Sequence, residues 1–232
     1  MAIYGSEKLR NVALVGHGGS GKTSLAEALL FDSGAVNRLG RVDDGTSVSD
    51  WDEEERRRGM SINTSVIPCE WQRHKLNVID TPGYMDFVGE IIGSLRVADS
   101  VVVVLDSVGG VEVGTEQSWA YCNEAELPRF IFVNKMDRAG AGFLRVVEQI
   151  KKRLGANPVP MQMNIGAEDK FEGVVDLAGL ALLELLAAAH HGADAGLDEA
   201  VVVGHSFRGR TLLNRNMRFI TPDGAFHDWR PV

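Results

Sequence analysis

A glycine-rich stretch near the start of the chain has the clearest chemical pattern in the sequence. It reads Gly16-His17-Gly18-Gly19-Ser20-Gly21-Lys22-Thr23, the pattern G-x-x-x-x-G-K-T, between an apolar run and a helix-like segment. Glycines let the backbone bend so that successive N–H groups point at phosphate oxygens. Lys22 would neutralise the β- and γ-phosphates, and the Thr23 hydroxyl would bind Mg²⁺.

Every fixed position of this pattern is filled, which disfavours a glycine-rich turn with a chance lysine. The stretch therefore predicts binding of a nucleoside triphosphate. The predicted phosphate-binding residues are Gly16, His17, Gly18, Gly19, Ser20, Gly21, Lys22, Thr23 and Ser24.

A second group lies about 58 positions after Lys22, at the end of a predicted strand. It consists of Asp80, Thr81, Pro82, Gly83 and Tyr84. An aspartate at the carboxyl end of a buried strand lies where open α/β sheets bind ligands. We expect Asp80 to hold Mg²⁺ through water and the Gly83 N–H to be available to the γ-phosphate. Taken alone, the tetrapeptide D-T-P-G would indicate only a turn.

A third group, Asn134-Lys135-Met136-Asp137, follows the apolar run before it. The carboxylate of Asp137 can accept hydrogen bonds from guanine N1–H and N2–H₂, which adenine does not offer. The Asn134 amide would bridge toward the phosphate-binding loop, and the Lys135 stem would lie against the base. A surface turn is the alternative, but three motifs in this order on three strand ends disfavour it. The predicted guanine-binding residues are Asn134, Lys135, Met136 and Asp137.

Alternating strands and helices must position these groups. Apolar runs predict strands over residues 11–15, 61–70, 75–79, 100–105 and 128–133. Helical periodicity predicts helices from residue 25 to about 32–34, over 88–98 and over 112–126. The predicted fold class is α/β: a P-loop NTPase with a doubly wound, mostly parallel sheet and helices on both faces, incomplete at its C-terminal end.

Composition restricts the partners and the compartment. The chain has 232 residues, 44% of them hydrophobic, and a formal net charge of −8, so we expect no autonomous DNA or RNA binding. Its two cysteines, Cys69 and Cys122, are far apart, which suits a reducing compartment. An apolar signal core is missing from residues 1–10, and the apolar run 177–189 is too short to span a bilayer. We therefore expect a cytoplasmic protein without a membrane partner.

The motifs together resemble the GTP-binding domain of elongation factor G and of elongation-factor-G-like proteins. The resemblance runs from about Leu9 to Leu177. Besides the three groups above, it rests on Asp50-Trp51 with Arg58-Gly59-Met60-Ser61, on Arg138, on Gly155-Ala156-Asn157-Pro158-Val159-Pro160 and on Ile165-Gly166-Ala167-Glu168. The last two groups are absent from ordinary small GTPases.

The resemblance implies a role for the charged run over residues 50–59. Alone, this run predicts a solvated helical turn, because acidic residues stand four positions before arginines. In the family, residues 50–61 would form the first switch segment, whose hydroxyl binds Mg²⁺ when the γ-phosphate is present. Ser61 stands where the family usually has threonine and keeps the ligand oxygen. The implied metal ligands are Thr23, Ser61 and Asp80, with GTP or GDP and Mg²⁺ as cofactors and the ribosome as partner.

Two departures from the family pattern concern catalysis. Gly19 replaces an aspartate thought to help hold a monovalent cation. Tyr84 replaces the histidine that orients the attacking water on the ribosome, and a phenol with a pKa near 10 is a poor base. With Lys22 and Tyr84 as the implied catalytic residues, we expect GTP hydrolysis to be slow unless the ribosome activates it. The alternatives are a non-catalytic guanine-nucleotide-binding remnant of a truncated or frame-shifted factor and, disfavoured by Asp137, an ATPase.

The predicted domains are a GTP-binding core over residues 1–157, the start of the family's inserted subdomain over 158–178, and a divergent tail over 179–232. The tail departs from the family after about residue 177, and it shows no Ser-Ala-type loop that would support the base. Residues 199–209 resemble instead a strand leading into the nucleophile elbow of an α/β-hydrolase. Arg208 occupies the place of the motif's glycine, which disfavours this hydrolase interpretation.

Overall fold

The structure, a computed structural model, describes residues 4–176, 199–203, 206–207, 210–211, 218–220 and 226–228. Its helices are α1 (Lys22–Asp32), α2 (Glu53–Arg58), α3 (Val88–Leu95), α4 (Val113–Glu124) and α5 (Phe143–Gln149). Its strands are β1 (Leu9–Val15), β2 (Ser65–Trp71), β3 (His74–Asp80), β4 (Ser100–Asp106), β5 (Arg129–Asn134), β6 (Pro158–Pro160), β7 (Gln162–Ile165), β8 (Gly173–Asp176), β9 (Glu199–Val203), β10 (Ser206–Phe207), β11 (Arg210–Thr211), β12 (Arg218–Ile220) and β13 (Phe226–Asp228). The predicted α/β class with a mostly parallel sheet is confirmed.

The first of two compact units comprises Met1–Asp106 and Val111–Arg129. Its strands follow the order β2-β3-β1-β4. β1 is parallel to β3 and β4, whereas β2 is antiparallel to β3. Most apolar residues of β1 and β4 have little or no exposed surface, so these two strands form the centre of the core.

Strand register in this unit brings three chain segments to one edge. Leu14 of β1 is paired with Asp80 of β3, so residues 16–21 and 81–84 leave the sheet side by side. Because β2 is antiparallel, its first residue, Ser65, also lies opposite Asp80. The segment before β2, which includes Ser61, therefore enters the sheet at the same edge as the phosphate-binding loop.

The second unit comprises Ser107–Gly110 and Phe130–Val232. In its described part, β9 lies between β5 and β6 and is parallel to both. β7 and β8 form an antiparallel pair in which Ile165 is opposite Gly173. The β10–β11 and β12–β13 pairs are also antiparallel.

Most predicted elements agree with the structure to within a few residues. The largest difference within an element is at β2, which begins at Ser65 rather than at residue 61. The physical reason is that the backbone N–H groups of Ile62 and Asn63 bind the side chain of Glu55 instead of a neighbouring strand. Ile62 and Asn63 are therefore held as a loop by α2, and Thr64 N–H donates to Glu90 Oε2 of α3 at 3.0 Å.

The strand predicted within the tail is present as β9, but its pairing with β5 was not predicted. Register places Val203 opposite Val133, so the chain continues from β9 at the end of β5 that carries Asn134. Ser206 lies in β10, which pairs with β11 only a few residues later. A nucleophile elbow needs a strand-to-helix turn, so this hairpin disfavours the hydrolase interpretation.

Other predictions for the tail fall on residues outside the described ranges, including the apolar run over 180–189. Among the described residues, the longest helices are far shorter than a membrane span, and none is apolar enough to be one. Cys69 and Cys122 are both buried and free.

Candidate functional site

The phosphate-binding loop adopts a conformation that depends on its glycines. Gly16, Gly19 and Gly21 have φ values of 139°, 76° and 99°, in the region that side chains rarely allow. A Cβ on Gly16 would also collide with the carbonyl oxygen of Val104 in β4. Gly21 is the N-cap of α1, so the loop leads directly into the positive end of that helix.

Lys22 is held inside this loop. Its side chain is only 6% exposed, and Nζ donates hydrogen bonds to the carbonyl oxygens of Gly16 and His17, each at 3.0 Å. The charge of Lys22 is thus fixed over the loop, where it can meet a phosphate. The His17 side chain is held by residues outside the loop. Its Nδ1 accepts a hydrogen bond from Gly114 N–H at 3.3 Å, and its Nε2 is 3.7 Å from Glu112 Oε1.

The Asp80–Tyr84 group packs directly on the phosphate-binding loop. A Cβ on Gly83 would collide with Lys22 Nζ and with the backbone of Gly18. A Cβ on Gly18 would lie 3.0, 3.1 and 3.2 Å from three carbons of the Tyr84 ring. The phenol, 43% exposed, therefore covers Gly18, and glycine at both positions is what allows this close approach.

The side chains predicted to bind Mg²⁺ lie in one polar cluster, defined here as Thr23, Ser49, Asp50, Ser61 and Asp80. Thr23 Oγ1 is 3.0 Å from Ser61 Oγ, and Ser61 Oγ donates to Asp50 Oδ1 at 2.7 Å. Ser49 Oγ donates to Asp80 Oδ2 at 2.6 Å. The cluster joins α1, β3 and the switch segment (residues 50–61).

The composition of this polar cluster fits Mg²⁺. Hydroxyl and carboxylate oxygens are the donors that the ion prefers, together with water and phosphate oxygens. Asp80 is buried, and its Oδ1 has no hydrogen-bond partner among the described residues. Burial raises the pKa of Asp80 to about 6, although the hydrogen bonds from Ser49 and Thr23 and the charge of Lys22 oppose this. Thr23, Ser61 and Asp80 are the residues that would hold the ion.

Two buried glutamates, which the sequence did not single out, fix the chain on either side of Asp50. Glu27 of α1 has no exposed surface, and its Oε1 accepts hydrogen bonds from the N–H groups of Val48 (2.6 Å) and Ser49 (3.2 Å). Glu55 accepts from Ile62 and Asn63, at 2.9 and 2.8 Å. Desolvation raises the pKa of Glu27 above its ordinary value. A sequence signal was present in each case: Glu27 interrupts an apolar helical run, and Glu55 stands three residues after Asp52, the spacing of the capping box that the two residues form.

The other predicted residues of this unit have supporting positions. Thr81 is completely buried, and its Oγ1 donates to the carbonyl oxygen of Leu14 at 2.7 Å, which joins β3 to β1. Ser20 is buried within the phosphate-binding loop, and Pro82 is buried after Thr81. Ser24 is half-buried in the first turn of α1.

The second unit carries the group predicted to bind guanine. Ser107 fastens the start of this loop, because its N–H donates to Asn134 O at 2.9 Å and its Oγ to Lys135 O at 2.7 Å. Lys135 has a φ of 62°, and its N–H donates to Asn134 Oδ1 at 2.9 Å. The Met136 side chain is completely buried and therefore packs in the core.

Asp137 has one carboxylate oxygen that makes no hydrogen bond within the described part of the chain. Its side chain is half-buried, and Oδ1 is shielded from solvent without a hydrogen-bond partner among the described residues. A carboxylate oxygen in this state is well suited to accept N–H groups of a ligand, because otherwise its burial costs free energy.

Comparison with known proteins agrees with these motifs. The model of the elongation factor Tu GTP-binding domain matches residues 7–220. The crystal structure of ttk003000868 from Thermus thermophilus is similar, with 30% sequence identity and a TM-score of 0.75. That match covers 84% of this chain but only 37% of the Thermus chain, so this chain spans little more than a third of that protein. The predicted P-loop NTPase fold is confirmed, and the chain belongs to the family of elongation factor Tu GTP-binding domains.

Proposed function

We propose that the chain is the GTP-binding domain of an elongation-factor-G-like translational GTPase. It would bind GTP or GDP with Mg²⁺ and hydrolyse GTP slowly unless the ribosome activates it. Membership of the GTP-binding-domain family supports the nucleotide, and the segments Gly155–Pro160 and Ile165–Glu168 support the elongation-factor-G-like subfamily.

The observation that carries the guanine preference is the buried, unpartnered Oδ1 of Asp137 in the described part of the chain. Guanine offers N1–H and N2–H₂ to such an oxygen, whereas adenine offers no donor at the same positions. A site built to accept these hydrogen bonds rejects a base that lacks them, because the carboxylate is then left unsatisfied.

Within this proposal, each unit has its own task. Lys22 and the backbone N–H groups of residues 16–21 bind the phosphates. Thr23, Ser61 and Asp80 would hold Mg²⁺, which when bound would neutralise negative charge on the phosphates. Asp137 selects the base. Tyr84 donates a hydrogen bond toward the attacking water but is a poor base, so positioning and charge stabilisation have to supply the rate.

The test is a titration with fluorescent GTP, ATP and xanthosine triphosphate on wild type and on Asp137→Asn. Xanthine carries a carbonyl where guanine carries its amino group, so the asparagine NH₂ can donate to it. We expect wild type to prefer GTP and Asp137→Asn to prefer xanthosine triphosphate. Asp169→Asn, on an exposed residue of the same unit, should behave as wild type. An unchanged preference in Asp137→Asn would contradict the proposal.

A second candidate is a guanine-nucleotide-binding module that does not turn over. Tyr84 favours it, because a phenol replaces the imidazole that the family uses. Single-turnover GTP hydrolysis with and without ribosomes separates the two candidates. Stimulation by ribosomes supports the GTPase, whereas tight binding with no stimulated hydrolysis supports the module.

A further inference from the structure

Glu168, in the turn between β7 and β8, contacts the Asp137 loop (residues 134–140) on both sides of Asp137. Its backbone N–H donates to Met136 O at 2.9 Å, and its Oε1 accepts a hydrogen bond from Gly140 N–H at 2.7 Å. One residue thus binds the loop immediately before Asp137 and three residues after it.

The β7–β8 turn is built to present Glu168 in this way. Gly166 has a φ of 72°, and a Cβ there would collide with Lys170 O, so the turn requires glycine at this point. Asn164 Nδ2 donates to Gly166 O at 2.6 Å, and Glu172 N–H donates to Ile165 O at 2.9 Å. Glu168 itself has a φ of 59°, an uncommon conformation for a residue with a side chain. These contacts hold Glu168 on a rigid support.

Ser107 and Arg145 also hold the two halves of the Asp137 loop, and Arg145 Nη2 donates a hydrogen bond to Ser107 O at 2.8 Å. Ser107 fastens Asn134 and Lys135, which precede Met136. At the other end, Gly140 has a φ of 84°, and its carbonyl oxygen accepts a hydrogen bond from Arg145 Nη2 at 3.0 Å. The Glu168 carboxylate binds the N–H of the same glycine. Glu168 therefore joins the backbone on one side of Asp137 to the backbone on the other, in addition to the turn hydrogen bond from Arg138 N–H to Lys135 O at 3.1 Å.

We propose that Glu168 is a specificity-positioning residue, which holds the Asp137 loop in the shape that directs the Asp137 carboxylate at the Watson–Crick edge of guanine. This inference rests on the proposed function. Glu168 acts through Asp137 and not by binding the nucleotide itself. Its loss would therefore weaken the discrimination that depends on the guanine 2-amino group more than it weakens binding of the phosphates.

The test compares GTP with inosine triphosphate, which lacks only the 2-amino group. The measured quantity is the dissociation constant of inosine triphosphate divided by that of GTP. It is determined for wild type, Glu168→Ala, Glu168→Gln and Asp137→Ala, with Glu172→Ala as the control on an exposed glutamate. We expect Glu168→Ala to lower the ratio about tenfold, since one charge-assisted hydrogen bond is lost. Glu168→Gln keeps an acceptor oxygen at the same distance from the backbone and should restore most of the ratio.

The double variant Glu168→Ala/Asp137→Ala separates positioning from general damage. If Glu168 acts through Asp137, the double variant has the same ratio as Asp137→Ala alone. Thermal unfolding of each variant controls for folding, and Glu168→Gln supplies the comparison if Glu168→Ala is unstable. Equal weakening of both nucleotides in Glu168→Ala, with an unchanged ratio, would overturn this inference alone. A wild type without preference for GTP over inosine triphosphate would overturn the proposed function and this inference with it.

Discussion

The polar cluster of the first unit and the Asp137 loop of the second are prepared for ligands in different ways. In the first unit, most functional groups bind one another: Lys22 binds loop carbonyls, Ser61 binds Asp50, and Ser49 binds one oxygen of Asp80, whose other oxygen has no partner among the described residues. In the loop, the contacts hold the backbone, and Asp137 Oδ1 has no partner among the described residues.

This difference follows from what each ligand part demands. Phosphates and Mg²⁺ bring several charges, whose interactions can replace the ammonium–carbonyl and hydroxyl–carboxylate hydrogen bonds at this site. A base offers only two N–H groups to a carboxylate, so a site that had to break internal bonds first would gain little. The cluster must therefore exchange partners on binding, whereas the loop must already have its final shape.

The largest effect is expected when a charge is removed beside the polar cluster. Lys22→Ala should weaken GTP binding about 100-fold or more, because a buried ammonium that meets the phosphates is lost. The GTP-to-ATP preference should persist in whatever binding remains, since Asp137 is untouched. Isothermal titration with GTP and ATP measures both effects. Lys152→Ala, on an exposed lysine, is the matched control. Loss of base preference in Lys22→Ala would contradict the separation of tasks.

The functional groups that the sequence predicted differ from those that it did not predict in how far apart their interacting residues lie along the chain. The loop of residues 16–23 is local: its glycines, its lysine and the helix that follows are contiguous, so spacing alone indicates their chemistry. Glu27 accepts hydrogen bonds from the backbone N–H groups of Val48 and Ser49, 21 and 22 residues away, and no short pattern reveals these partners. The pairing of β9 with β5 is likewise set by tertiary register. The sequence does show that Glu27 interrupts an apolar helical run, which indicates a buried carboxylate but not its partners.

A smaller effect is expected from Asp50, which the resemblance placed in the first switch segment but not among the metal ligands. Its carboxylate accepts hydrogen bonds from Ser61 Oγ at 2.7 Å and from Ser47 Oγ at 3.1 Å, and it is buried. Because groups that orient a metal ligand typically change metal affinity about 10- to 100-fold, Asp50→Asn should raise the Mg²⁺ concentration required for GTP binding about tenfold.

Magnesium titrations at fixed GTP concentration measure this effect of Asp50. Asp43→Asn, on an exposed residue before the switch segment, is the control. Binding of GDP in the presence of chelator should not change, because no metal is then present. A tenfold fall in GDP affinity in the presence of chelator would mean that Asp50 supports the nucleotide and not the ion.

A weaker effect is expected at the contact between Gly18 and Tyr84. Gly18→Ala places a methyl group against the Tyr84 ring, which must move and take Gly83 with it. We expect GTP affinity to fall about threefold relative to GDP affinity, because the Gly83 N–H is the predicted partner of the γ-phosphate, which GDP lacks. Competitive titration with GDP measures the ratio.

The Gly18 effect should disappear when the ring is absent. In a Tyr84→Ala background, Gly18→Ala should leave the GTP-to-GDP ratio unchanged, because the methyl group then meets no aromatic ring. Gly89→Ala, where an added methyl group meets open space, is the control. An equal effect of Gly18→Ala in both backgrounds would place its cause in the phosphate-binding loop itself.

The smallest effect is expected at Asp32, where a substitution tests whether an unpartnered carboxylate oxygen by itself indicates a ligand. Asp32, the last residue of α1, has a buried Oδ2 without a partner among the described residues, and burial raises its pKa to about 6. A raised carboxyl pKa means that the folded state binds the proton more tightly than the unfolded state. The stabilisation is complete below about pH 4 and is lost as the pH rises through about 6. Asp32 lies at the negative end of the helix, away from every predicted ligand-binding group, so its unpartnered oxygen is a cost to the fold alone.

Asp32→Asn is neutral at every pH and should remove this cost. Urea unfolding should show nearly equal stability of wild type and variant at about pH 4. At about pH 8 the variant should be more stable by about 1 kcal/mol, a value reduced from the full pKa shift because the side chain is partly exposed to solvent. GTP binding should not change, in contrast to Asp137→Asn, whose carboxylate oxygen is equally unpartnered in the described part of the chain. A stability difference that does not depend on pH would show that the charge of Asp32 does not cause it. Altered GTP binding in Asp32→Asn would contradict the assignment of the Asp32 oxygen to the fold alone. The loop geometry around Asp137 would then be a better guide to the ligand than an unpartnered carboxylate oxygen.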